Sequence, residues 1–237
     1  MNKLIVLSGA GLSAPSGIST FRDKEGLWTR YSLDEVCDAL TWRRNREKVH
    51  EFYNILRSGL GNAQPTAGHH MISAWKRDYG DRAVILTQNV DDLLERAGCT
   101  DIIHLHGFLQ DMHCIACGHT WNIGYTKWNH EEDRCPSCDS LRGVKPGVVF
   151  FNEGAPRYAD LYRAFKKLTH LDTVVVIGTS GEVINVNGLV LGTPAYTMLN
   201  NMERSASIDE SRFRSVFHES VETAAPRMDE IVRNRMS

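Results

Sequence analysis

Short apolar runs recur along this chain, each closed by a polar loop and separated from the next by a stretch of helical spacing. Residues 4–7 (LIVL), 82–87 (RAVILT), 102–105 (IIHL), 148–151 (VVFF), 173–177 (TVVVI) and 195–199 read as strands. Several lack any apolar–polar alternation. Such runs fit a parallel sheet covered by helices on both faces. Residues up to about 57 after the first loop, 69–78, 91–98, 161–168 and 223–235 carry the intervening helical pattern, and Gly59, Gly61 and Pro65 end the first of these stretches. In such folds ligands collect beyond the carboxyl ends of the strands. That singles out the loops at 8–22, 88–91, 178–181 and 200–203.

The first loop carries the strongest signal. Residues 9–28 read GAGLSAPSGISTFRDKEGLW directly after the apolar run. Gly9 and Gly11 lack a Cβ, so the backbone can turn tightly and approach a ligand. N–H groups after such a turn suit an anion such as a dinucleotide pyrophosphate. A glycine turn alone is common. Its extension through Ser13, Ser16, Gly17, Phe21, Arg22, Gly26 and Trp28 is not.

Composition changes this picture little. The chain has 237 residues, 42% of them hydrophobic and 24% charged, with a net charge of −2. That is ordinary for a globular protein with a full core. It lacks the basic field that grips nucleic acid, so nucleic acid is not indicated as a partner. No run approaches a membrane span and the first apolar run is too short for a secretion signal, so the expected location is cytoplasmic.

Six cysteines divide into Cys114-x2-Cys117, Cys135-x2-Cys138 and the isolated Cys37 and Cys99. Two paired Cys-x-x-Cys knuckles suit a closed tetrahedral zinc site, structural because four thiolates leave no open position. Redox thiols are the alternative. Cys37 and Cys99 read as small buried residues. In His104-Leu105-His106-Gly107 the two histidines share a face of a strand end. A structural role is the commoner fate of such a histidine, but His106 sits where a doubly wound sheet places its chemistry. Gln88-Asn89-Val90-Asp91 suits either a helix cap or the amide and ribose of a nicotinamide. Gly178-Thr179-Ser180-Gly181 suits phosphate or ribose, or any loop. Phe21 and Arg22 also have a bland reading, as a core aromatic and a solvated cation.

Taken in order, GAGLSAPSGISTFR, GLW, TQNVD, HLHG, the two cysteine pairs, VVFFNE, GTSG and Asn201-Met202-Glu203 resemble the sirtuin family of NAD-dependent protein-lysine deacylases. Several ordered motifs are far more specific than any one. The resemblance implies an α/β fold: a Rossmann-like, doubly wound parallel sheet with a small zinc-binding domain and a helical insertion. Residues 1–29, 66–110 and 144–237 would form the NAD-binding domain, 30–65 the helical part of the small domain, and 111–143 the zinc module. It implies NAD over Gly9, Ala10, Gly11, Ser13, Ser16, Gly17, Ile18, Phe21, Arg22 and Trp28. Further contacts would come from Gln88, Asn89, Val90, Asp91, Gly178, Thr179, Ser180, Asn201, Met202, Glu203 and Val221. His106 matches the general base, with Asn89 and Asp91 beside it in catalysis. Val148, Val149 and Phe150 match the segment that holds acyl-lysine. The implied chemistry consumes NAD: the acyl oxygen displaces nicotinamide, His106 deprotonates a ribose hydroxyl, and water releases lysine and an acyl-ADP-ribose.

The chain departs from the family in places. Leu94 stands where a histidine is frequent, Asn152 replaces a glycine, and Asn185 replaces a proline. Asn152 keeps the option of a left-handed turn, and Asn185 gains a donor that proline lacks. Members preferring acidic acyl groups, the bacterial-type desuccinylases among them, carry Tyr-x-x-Arg. Here the spacing is Tyr53 to Arg57, one residue longer. Both spacings lie near one helix face, so succinyl or malonyl recognition by Tyr53 and Arg57 stands beside a surface reading of Arg57. Two other functions stay open: an NAD hydrolase or ADP-ribosyltransferase using the same site, and a zinc-ribbon binding module.

Overall fold

The computed structural model describes residues 2–18 and 31–237; Phe21, Arg22 and Trp28 lie outside them. Six strands form one parallel sheet in the order β3-β2-β1-β7-β8-β9. They are β1 (Leu4–Ser8), β2 (Ala83–Thr87), β3 (Ile102–His104), β7 (Thr173–Ile177), β8 (Tyr196–Asn201) and β9 (Ser215–His218). Every residue of β1 and β7 is buried, as their unbroken apolar runs require. The strand order reverses at β1, which pairs with β2 on one side and β7 on the other. That reversal opens a crevice at the carboxyl ends of β1 and β7.

Helices α3 (Ala67–Tyr79) and α7 (Val221–Met236) cover one face, where Ile72, Trp75, Met228 and Val232 meet Leu4, Val6 and Ile85. On the other, Leu161 of α5 (Tyr158–Ala164) and Val186 and Val190 of α6 (Val186–Val190) pack against Ile5, Leu7 and Val176. Asn185 caps α6 by accepting the Gly188 N–H at 2.9 Å, replacing with a side chain the start that a proline would give.

A second sheet is antiparallel, in the order β5-β4-β6, with β4 (Gly107–Cys114), β5 (Thr120–Asn122) and β6 (Val144–Val148). The apolar run at 148–151 therefore does not add a strand to the large sheet: only Val148 belongs to a strand, and that strand lies in the small sheet. Gly107 makes the turn from one sheet to the other. Its φ is +84°, and a Cβ there would stand 2.1 Å from the Gly147 carbonyl oxygen. Beside this sheet lie α1 (Leu33–Val36) and α2 (Arg46–Leu60). Phe52, Tyr53, Val148 and Phe150 form their common core, against which Ile18 of the first loop and Val90 also pack. The last short helix is α4 (Leu93–Arg96), with Leu94 buried at its centre. No described helix is long and apolar enough to cross a membrane.

Candidate active site

The loops after β1 and β7 are pressed together at the crevice. Gly9 N–H donates to the Ile177 carbonyl and Gly11 N–H to that of Gly178. A Cβ on Gly11 would lie 2.6 Å from Gly178 Cα, so glycine is required for the approach of one loop to the other. Leu12 and Ser13 donate back to Gly9 and Ala10. Within residues 9–13 the Ala10 N–H enters none of these bonds. Of the described N–H groups in residues 9–13, that of Ala10 is thus the one left for an anion. Ser16 Oγ donates to the Gln64 carbonyl, and Gly17 adopts φ +78°.

Ser13 is the centre of a buried network. Its hydroxyl donates to Asp91 Oδ2 at 2.8 Å and accepts from Asn89 Nδ2 at 2.9 Å. His69 Nε2 lies 3.2 Å away. The Thr66 backbone N–H donates to His69 Nδ1, so the ring proton sits on Nε2 and is given to Ser13. All three hydrogen-bonding valences of the hydroxyl are then filled. Burial lowers the His69 pKa to about 4 and keeps it neutral. Burial also raises the Asp91 carboxyl, against the Ser13 and Leu93 hydrogen bonds that favour its charge. His69 escaped the sequence reading. Its signal was there, in Thr66-x-x-His69 at a helix start, where threonine caps and histidine returns the bond.

The histidines two apart have opposite surroundings. His104 bonds the Asn89 carbonyl and Glu95 Oε1 at 2.7 Å. Burial opposes its charge, but the Glu95 carboxylate prevails and raises its pKa. Among the described residues no carboxylate acts on His106. Its Nδ1 is 3.0 Å from the Gln88 carbonyl and its Nε2 2.9 Å from the Tyr158 hydroxyl. Burial lowers its pKa, against the Gln88 carbonyl. A carbonyl only accepts, so Nδ1 carries the proton and Nε2 the lone pair.

Around it, Gln88 Nε2 reaches across the crevice to Thr179 Oγ1 at 3.0 Å, and Asn201 Nδ2 holds the Thr179 carbonyl at 2.9 Å. The Ser180 carbonyl accepts from Ser205. Met202 and Glu203 are exposed beyond β8. Val221, expected as a crevice contact, has its side chain buried in the core, against Gly68. What it can offer a ligand is backbone at the start of α7.

Val149 N–H donates to the His106 carbonyl, which joins the segment 148–150 to the base. Phe150 stacks on Tyr53 with ring centroids 5.8 Å apart. Asn152 takes φ +62° and donates to Asp38, keeping the left-handed turn without glycine. Arg57 corrects an expectation. It is 1% exposed and donates to the Leu109 and Thr126 carbonyls and to Asn54 Oδ1. The Tyr53 hydroxyl instead turns to Cys37 Sγ. Helical spacing placed the two residues near each other, but backbone carbonyls of β4 and of the segment after β5 took the guanidinium.

The four paired cysteines converge, with all sulfurs within 4.8 Å of one another. Cys114–Cys138 and Cys117–Cys135 are 3.6 and 3.7 Å apart. A tetrahedron of sulfurs about 2.3 Å from a zinc ion has an edge of about 3.8 Å, so the cluster fits that metal. Cys37 and Cys99 are buried singly.

Fold and site together define a dinucleotide-binding α/β protein with a four-cysteine module. The Sir2 family model matches residues 9–185, and the chain belongs to that family. A Helicobacter hepaticus protein named NAD-dependent protein deacylase is 41% identical over 250 residues, covering 97% of each chain. A Campylobacter jejuni protein of the same name is also 41% identical, over 100% of this chain and 98% of its own. A crystal structure described as a Sir2 homolog–NAD complex superimposes with a TM-score of 0.84 at 30% identity, over 99% of this chain and 91% of that one.

Proposed function

We propose that this protein removes acyl groups, acetyl foremost, from protein lysines in an NAD-dependent reaction that yields nicotinamide and an acyl-ADP-ribose. The observation that carries the reading is His106: neutral, protonated on Nδ1, with an unprotonated Nε2 that can take a proton at the crevice of a parallel sheet. NAD supplies a sugar carbon that becomes electrophilic as nicotinamide departs. The groups to hold it are Ala10 N–H, the Gln88 amide, Asn89, Asp91, Thr179, Ser180 and Asn201. Among the described residues the amide oxygens of Asn89 and Asn201 have no protein donor, which fits hydroxyl or amide ligands. Asp91 and Ser13 hold Asn89 in place. Val148, Val149 and Phe150 supply the acyl-lysine channel, with Tyr53 at its wall. The cysteine module supplies structure, not chemistry. The paired cysteines, read as metal ligands, accord with a reducing cytoplasmic location.

Neutral acyl groups are favoured because, among the described residues, the cations beside Tyr53 and Phe150 are already engaged. Arg57 is bound by carbonyls, and Lys145, whose Nζ lies 4.2 Å from the centre of the Phe150 ring, is held by Glu153 Oε2 at 3.0 Å. Mass spectrometry of NAD products across acetyl- and succinyl-lysine peptides tests the reading. The expected result is peptide-dependent nicotinamide release, faster with acetyl, and lost in His106→Ala. Release indifferent to peptide would point instead to an NAD hydrolase, and succinyl turnover equal to acetyl would remove the acyl assignment.

A further inference from the structure

The lone pair of the base is already occupied by a residue of this chain. Tyr158 opens α5, on the connection that leaves the small sheet for β7. Its hydroxyl is 2.9 Å from His106 Nε2, and the two rings lie 5.9 Å apart at 40°. Because Nδ1 holds the ring proton against the Gln88 carbonyl, Nε2 can only accept, and the phenol donates. Burial raises the Tyr158 pKa, so the phenol keeps its proton at neutral pH. The ring is braced from outside by an edge contact with Tyr162. Nothing in the sequence pointed to Tyr158, since 52 residues separate it from His106.

A sugar hydroxyl whose proton His106 is to take must make the same bond to the same atom. We propose that Tyr158 is a positioning residue that holds His106 Nε2 in the unliganded enzyme, and that the substrate hydroxyl displaces its phenol when the crevice fills. The incoming bond then replaces an existing one. The imidazole keeps its tautomer and direction throughout, and the phenol takes no part in proton transfer. This rests on the assignment of His106 as base.

Tyr158→Phe keeps the ring and deletes the competing donor. ADP-ribose then binds about 2- to 10-fold more tightly by calorimetry, the size of one neutral hydrogen bond. KM for NAD falls correspondingly, and kcat stays within about 2-fold, since the displaced phenol is absent from the reacting complex. A fall in kcat at constant KM would show a phenol that works in the reaction, and weaker binding would show a merely structural one; either overturns the proposal, as does no change. Should the variant fold poorly, 3-fluorotyrosine placed at position 158 of the otherwise native chain gives a second reading. Its fluorine resonance moves on adding ADP-ribose, and a fixed resonance overturns displacement. His106→Ala keeps the two claims apart. Turnover surviving in that variant removes the base assignment whatever Tyr158 does, whereas a dead His106→Ala beside an unchanged Tyr158→Phe removes this inference alone.

Discussion

At the crevice, Ser13 has every hydrogen-bonding valence filled by neighbours in the chain; at the cysteine module, four sulfurs face a space sized for a metal. The first region is organised by the polypeptide itself. Its groups are oriented before a ligand arrives, so a ligand meets little ordering cost. The second owes its order to an atom the sequence only implies through spacing. Substitutions should therefore behave differently in the two regions, graded at the crevice and all-or-none at the module.

The largest effect is expected at the module. Cys135→Ser should reduce bound zinc to none by metal analysis and cost more than about 4 kcal/mol in denaturant unfolding, because a lost structural metal takes its folding energy with it. A variant that stayed metal-bound and stable would break the comparison. Next comes Arg57, which ties α2 to the small sheet. Arg57→Ala leaves the buried Leu109 carbonyl without its donor and should cost roughly 2–4 kcal/mol. The ratio of acetyl to succinyl turnover should not change, and a collapse of succinyl turnover alone would return Arg57 to the substrate.

Acid should act on both regions at once. His69 at the crevice and His50 near the module have pKa values of about 4 and about 3, both below the ordinary 6.5 and chiefly through burial. As pH falls below 6.5 the unfolded chain takes up these protons first, so stability is present above 6.5 and lost progressively towards pH 4. Each histidine contributes about 1.4 kcal/mol per pH unit across that window. His104, whose pKa is raised, opposes part of the loss. Urea midpoints at pH 7 and pH 5 measure the slope, and His50→Gln should flatten it. The smallest effect is Ser13→Ala, at about 1–2 kcal/mol of stability, with kcat/KM reduced through a loosened Asn89. An unaltered kcat/KM would mean that Asn89 holds its place without Ser13.

Strands buried on both faces were legible because nothing but apolar residues can fill them; TVVVI coincides with β7 residue for residue. The edge strand β9 was not, since its residues are half-buried or exposed and its run SVFH is short. The small sheet was misread at residues 148–151 because an apolar run does not say which sheet receives it. Among site residues, local motifs were visible and long-range partners were not. His69 needed its cap to be recognised, and Tyr158 needed the fold. Arg57 shows the limit of spacing: it brings side chains near one another but leaves the direction of a long one to the acceptors that the fold places around it.

The contact between Gly11 and Gly178 joins the beginning of the chain to its last third. During synthesis the first loop leaves the ribosome long before the strand that supports it. Until β7 docks against β1, that loop has no floor, and a nascent chain halted before β7 lacks one wall of the crevice. Cofactor capture thus becomes a late checkpoint of folding, and NAD in the surrounding medium would favour completed molecules over unfinished ones.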